Sequence, residues 1–151
     1  MGDYSGILYI FGAVSSFMQL YVDTNIFLDF LLDRSNKLGN NIGNPASKFF
    51  FRAISCEFHI IFSDFTAQEL LKQIRPEETT AMFVFLKKKT ILVRHTLKEE
   101  EEARQLKPGH WQDALHAIIA KNAKADFIVT RNKADFADLK SLVEAKFPED
   151  V

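Results

Sequence analysis

The sequence predicts an α/β fold: a three-layer α/β/α sandwich around a central parallel sheet. Three observations carry that expectation. Four short apolar runs recur along the chain, at Leu20–Val22, Ile60–Phe62, Ile91–Val93 and Phe127–Val129. Runs this short and this apolar read as strands buried on both faces, the habit of parallel sheets. The segments between them have helical periodicity, and such alternation sets helices on the two sides of the sheet. Each run also stops at a polar residue: Asp23, Ser63, Arg94 and Thr130. Ligands of open α/β sheets bind just beyond the C-terminal strand ends, so these stops fall where chemistry is usually done.

Residues 1–17 carry a single charge, Asp3, and lack the basic start of a signal peptide. Met18 stands two residues before the first run. Two readings stay open for this stretch: an extension ahead of a domain over residues 18–151, or a segment packed onto that domain. After Asp23, Ile26 to Leu32 is apolar nearly all round, interrupted by Asp29, which predicts a short buried helix. Arg34 to Pro45 holds Ser, Asn and two Gly, which is loop chemistry. A helix is predicted from Ala46 to Cys56, with Phe49, Phe50, Ala53 and Ile54 on one stripe.

Ser63 and Asp64 are both N-cap candidates for the next helix, whose apolar positions are Ala67, Leu70, Leu71 and Ile74. Pro76 breaks it, and Glu77 to Lys89 predicts another helix, rich in Met82, Phe83, Phe85 and Leu86. Thr96 and Glu99 form a capping box for the helix after the third run, and its Glu99–Glu102 stretch is a solvated face. Pro108-Gly109 makes a turn. Trp111, Ala114, Leu115, Ile118 and Ile119 then repeat at i, i+3, i+4, i+7 and i+8, the stripe of an amphipathic helix.

The chain's 151 residues amount to about one domain. Nearly half of them, 47%, are hydrophobic, which excludes disorder as a description of the whole chain. A net charge of −1 provides no global basic field, so any nucleic-acid reading rests on local clusters. The lone Cys56 rules out an internal disulfide and suits a reducing compartment. No apolar stretch reaches the roughly 18–20 residues of a membrane span, and a cytoplasmic protein is expected.

Four acids stand at or near the strand ends. Asp23 closes the first strand in an apolar context, where a charge needs a helix N-terminus or a cation beside it; simple capping by Asp23 or Thr24 is the plainer alternative. Glu69 lies between the core positions Ala67 and Leu70, and alone it reads as an exposed helix residue. Asp113 opens a second stripe with His116, Ala117 and Ala120, and alone it is an acid favoured by the helix dipole. Asp135 follows the fourth strand, where a loop acid or helix cap is the alternative. Together, three or four carboxylates at one edge resist ionising side by side. Divalent cations make such a cluster tolerable, and all-oxygen ligands with remaining waters suit Mg²⁺ or Mn²⁺. One or two such ions activate water and stabilise the leaving oxygen in phosphodiester hydrolysis.

At these residues the chain resembles the PIN-domain (PilT N-terminus) family of metal-dependent ribonucleases. The matching stretches are YVDTNIFLDFLL at 21–32, SDFTAQEL at 63–70, DALHAIIA at 113–120 and ADFIVTRNKADF at 125–136. They occur in the family's order and at its usual separations. The resemblance implies a Rossmann-like sandwich with Asp23, Glu69 and Asp113 as catalytic metal ligands for Mg²⁺ or Mn²⁺. It also implies that Thr130 orients an acid or a water. The family's fourth acid often follows the last strand directly, a position held here by Asn132. Asn132 keeps an oxygen and loses a charge. Asp135 is the nearest acid and a further candidate ligand, which leaves open whether one or two ions bind.

Many compact members are toxins of toxin–antitoxin pairs, of the VapC type. That likeness implies RNA as substrate, a cognate antitoxin as partner and a homodimer, for which Phe49–Phe51 and Met82–Phe85 are a candidate surface. Lys72, Arg75, Lys87, Lys88, Lys89, Arg131 and Lys133 are candidates for phosphate contacts, although Lys87–Lys89 also reads as a solvated helix end. Rival readings are an inactive PIN-like domain that binds RNA or protein, and a zinc site from His110, Asp113 and His116. The zinc spacing departs from His-Glu-x-x-His, and His116 reads better as a helix-flank residue near Asp113. A phosphate-cradling nucleotide binder would need a Gly-rich loop after a strand, which the chain lacks.

Overall fold

A computed structural model describes residues 17–33 and 39–151. The expectation for the N-terminal segment therefore lies, save for Phe17, outside the described residues. The strands are β1 (Met18–Val22), β2 (Phe58–Ser63), β3 (Thr90–Val93), β4 (Phe127–Val129) and β5 (Ala145–Lys146). They form one sheet, parallel throughout, in the order β3-β2-β1-β4-β5. Leu20 of β1 pairs with Ile60 on one side and Phe127 on the other. The chain moves outward from β1 to β3 and then crosses back to lay β4 on the opposite flank of β1. Strand order therefore diverges between β1 and β4, the topological switch point at which α/β folds open a crevice.

Alternation along the strands divides the core into two layers, because successive side chains point to opposite faces. Leu20, Val22, Ile60, Phe62 and Val129 face one layer. It is filled by α1 (Thr24–Leu31), α2 (Gly43–Ile54) and α4 (Pro76–Leu86). Tyr21, Ile61 and Ile128 face the other. There they meet α5 (Leu97–Leu106) and α6 (Trp111–Asn122), whose Ala114, Leu115, Ile118 and Ile119 are buried. The short helix α3 (Asp64–Leu71) sits over the end of β2 and supplies Leu70 to the first layer and Phe65 to the second. The predicted three-layer sandwich is thus the observed one. Among the described residues, no helix is long and apolar enough to cross a membrane.

The first layer is an aromatic cluster. The Phe27 ring lies 5.2 Å from Phe50, 6.3 Å from Phe62 and 6.2 Å from Phe83, while Phe49 stacks 4.8 Å from Phe58. Gly43 opens α2 where it presses on the end of α1. A Cβ there would stand 2.5 Å from Asp33 Oδ1 and 2.9 Å from the Asp29 carbonyl oxygen, so only glycine permits this approach.

Several local expectations hold. Ser63 caps α3 by accepting from the Thr66 amide, with Asp64 as the first helical residue. Thr96 and Glu99 form the predicted capping box. Other expectations change. Strand β3 is not buried on both faces: it is an edge strand, with Ile91 38% and Leu92 59% exposed. An apolar run cannot announce whether a neighbour will cover it. Helix α2 starts at Gly43, inside the predicted loop, and the helix from Pro76 tightens after Leu86 into a 3-10 turn over Lys87–Lys89. Strand β5, two residues long, leaves no period in the sequence to read.

Candidate active site

Asp23 stands at the switch point. Its amide donates to the Val129 carbonyl at 2.9 Å, tying the end of β1 to the end of β4. Although it precedes α1, its side chain makes no capping bond to that helix, so the plain capping alternative fails. Instead Oδ2 accepts a 2.9 Å hydrogen bond from Thr130 Oγ1, the first residue beyond β4. Thr130 is itself steadied by the Asn132 amide, which donates to Oγ1 at 3.0 Å. Both Asp23 and Thr130 are buried.

Glu69 reaches this edge from the middle of α3. Its Oε1 accepts from Thr24 Oγ1 at 2.5 Å and pairs with His116 Nε2 at 2.7 Å. The same Nε2 lies 4.0 Å from Asp23 Oδ1, which brings the two acids to one imidazole. Asp113 projects from the first turn of α6, half-buried, close enough to feel the charges of Asp23 and Asp135.

Burial sets the electrostatics. Asp23 is pushed above the ordinary carboxyl range by loss of water, with Glu69 adding repulsion, and His116, Thr130 and the Thr24 amide offset this only in part. Asp113 is raised by burial and then by the charges of Asp23 and Asp135, against weaker help from Lys107 and His116. Burial would raise Glu69 too. The His116 hydrogen bond and charge, with the Thr24 hydroxyl, outweigh it, so Glu69 lies below its ordinary value. His116 is buried, which alone would lower it, yet the Tyr21 oxygen, Glu69 and Asp23 around the ring hold it well above the usual histidine range.

The predicted residues thus separate. Asp23, Glu69 and Asp113 share one edge with Thr130. Asp135 acts on Asp113 by charge from the rim: it is exposed in the first turn of a 3-10 helix over Lys133–Leu139. Asn132 is exposed beside it. The Arg131 guanidinium donates to Glu149 at 2.7 Å and lies over the Phe147 ring, so it braces the C-terminal turn. Lys72 lies near enough to act on Glu69, whereas Lys87–Lys89 precede β3 and so sit at the opposite end of the parallel sheet from the acids. Lys87 and Lys88 are exposed there, while Lys89 is half-buried and donates to Cys56 Sγ at 2.7 Å.

His116 is a buried flank residue near enough to act on Asp113, and its partners go beyond the expectation: it is 2% exposed, and both ring nitrogens are occupied, Nε2 by Glu69 and Nδ1 by the Tyr21 hydroxyl at 2.7 Å. That removes it from any zinc site with His110, which is exposed. Thr24 and Tyr21 were missed as partners of the site. The only sequence signal was a hydroxyl at each position flanking the Val22-Asp23 strand end.

The donor set suits a hard divalent cation. Carboxylates whose charges raise one another converge on one edge, and among the described residues no lysine or arginine forms a salt bridge to Asp23 or Asp113. As placed, no three acidic, histidine or cysteine side chains among the described residues stand close enough together to clasp an ion. The family model described as PIN domain matches residues 19–134. The match takes in Asp23, Glu69, Asp113, Thr130 and Asn132 and stops one residue before Asp135. No curated protein matches the chain.

Proposed function

The chain belongs to the PIN-domain family, whose members are in general nucleases that use divalent metals, and we propose that it is a Mg²⁺- or Mn²⁺-dependent endoribonuclease. One observation supports this most: a buried aspartate at the switch point, Asp23, shares its edge with Glu69 and Asp113, and burial and mutual repulsion strain two of the three as anions. Asp23, Glu69 and Asp113 would hold the cation, with Asp135 and Asn132 at the rim. When bound, a divalent cation supplies Lewis acidity toward the phosphodiester and toward the attacking water. Thr130 keeps Asp23 from turning away, since its hydroxyl occupies Oδ2. Lys72, near enough to act on Glu69, and Lys133, just beyond Asn132 with its ammonium 4.9 Å from the Phe147 ring centroid, would be the basic groups to meet phosphates.

The test is cleavage of a mixed pool of structured RNA with and without Mn²⁺. Cuts that require the metal support the reading. No cleavage together with no Mn²⁺ binding by calorimetry would leave a PIN-fold domain that binds RNA or protein.

Proton competition gives a second expectation. Asp23 and Asp113 are raised, so as pH falls they take up protons earlier than ordinary carboxyls, and Mn²⁺ affinity falls with them. In the metal-free protein the signs run differently. Raised carboxyls burden the fold as anions, and that burden lifts as pH falls through their folded values. Glu69, depressed, contributes stability above its unfolded value and loses it as pH falls through the folded one. Calorimetric titration of Mn²⁺ at a series of pH values reads the first effect; an affinity that is flat through the acidic range would contradict it.

The proposed setting is that of a cytoplasmic toxin partnered by a cognate antitoxin, acting on RNA as a homodimer. The apolar surface that supports a dimer is narrower than the sequence implied. Phe49, Phe50 and Met82 belong to the core, and Phe51, Val84 and Phe85 are the residues left exposed. Light scattering of the natural chain and of Phe85→Glu reads this: a dimer that the substitution splits is expected, and a natural monomer rejects it.

A further inference from the structure

Both donors on Glu69 land on the same oxygen. Thr24 Oγ1 and His116 Nε2 meet Oε1, and no donor meets Oε2 among the described residues. A carboxylate anchored in this way keeps Oε2 as its ligand oxygen. Because an ionised carboxylate only accepts, Nε2 of His116 carries the hydrogen and donates. The other ring nitrogen is fixed too. Nδ1 lies 2.7 Å from the Tyr21 hydroxyl, which lies 2.8 Å from Ser63 Oγ and 3.4 Å from Thr66 Oγ1. The ring is also packed between Phe65, at 5.0 Å, and Tyr21, at 5.6 Å. Any buried imidazole needs a partner on each nitrogen; what sets this one apart is that the partner on Nε2 is a carboxylate of the site.

We propose that His116, locked by Tyr21, is the positioning residue that holds Glu69 Oε1 and leaves Oε2 for the cation. The inference rests on the metal-dependent reading above. Outer partners of ligand groups fix orientation, and their loss typically weakens metal binding by about 10–100-fold.

The test is Mn²⁺ binding by calorimetry on the full chain, with melting temperature as the control for folding. The variants are His116→Leu, His116→Gln, Tyr21→Phe and, for reference, Asp23→Asn. His116→Leu is expected to weaken Mn²⁺ binding by about 10–100-fold. His116→Gln, which can present an amide N–H to the same oxygen, should recover most of that loss. Tyr21→Phe removes one hydroxyl and should weaken binding by a smaller factor. Binding that Asp23→Asn removes but that His116→Leu and Tyr21→Phe leave unchanged overturns the positioning role and leaves the nuclease reading standing. Absence of Mn²⁺ binding by the natural chain overturns both. Should His116→Leu fail to fold, Tyr21→Phe decides alone, and an unchanged affinity in it rejects the proposal.

Discussion

Asp23→Asn is expected to remove metal-dependent RNA cleavage, by at least about 100-fold, the upper end of what groups behind a ligand contribute. The substitution is nearly isosteric. Asn keeps an oxygen for the Thr130 hydroxyl and loses the charge that a cation needs. The same change should not harm the fold. Asp23 is raised on balance, after the help of His116 and Thr130 is counted, so its anion burdens the metal-free protein. The variant should therefore melt at or above the natural chain without metal and gain less from added Mn²⁺, because a ligand stabilises only the state that binds it. Cleavage assays and thermal melts with and without Mn²⁺ read both halves. Undiminished cleavage in the variant would sink the assignment of Asp23, and a lower melting temperature without metal would show that burial is not the governing term at this residue.

Phe27→Ala carries the largest expected loss of stability. Phe27 is fully buried one turn into α1, and its ring faces Phe50, Phe62 and Phe83 from α2, β2 and α4. Removing it deletes apolar area and leaves a cavity that three rings on separate elements cannot easily fill. The cost is about 3–5 kcal/mol, of the kind seen for large core truncations. For a domain of this size that corresponds to a drop of roughly 6–20 °C in melting temperature. Urea unfolding would measure it, and a loss within about 0.5 kcal/mol, the level of a surface substitution, would contradict the packing described. Activity should fall as well, because α1 also carries Thr24, whose hydroxyl meets Glu69.

Much of the architecture was legible in the chain. Apolar runs of three residues show no amphipathic period and read as strands covered on both sides; β1, β2 and β4 are so covered, and β3 is not. The Thr96–Glu99 box and the stripe from Trp111 are local devices, and both appear where expected. The acids at the strand ends were legible for a topological reason: parallel strands with helical crossovers bring their C-terminal ends to one edge. That is why Asp23, Glu69 and Asp113 meet although 90 residues separate the first from the last.

What the sequence by itself determined, then, was the class of each element and the edge at which its polar residues gather. Only the tertiary structure decided who covers whom. It made β3 an edge, with Leu92 in solvent, and sent Phe49 and Phe50 inward while Phe51 stayed out. It also decided the partners within the site: Tyr21 meets His116 across 95 residues, and Thr24 meets Glu69 across 45. Periodicity reports which side of one element is apolar. The partner of a hydroxyl or an imidazole depends instead on how several elements stack, and no local pattern in the chain encodes that distance.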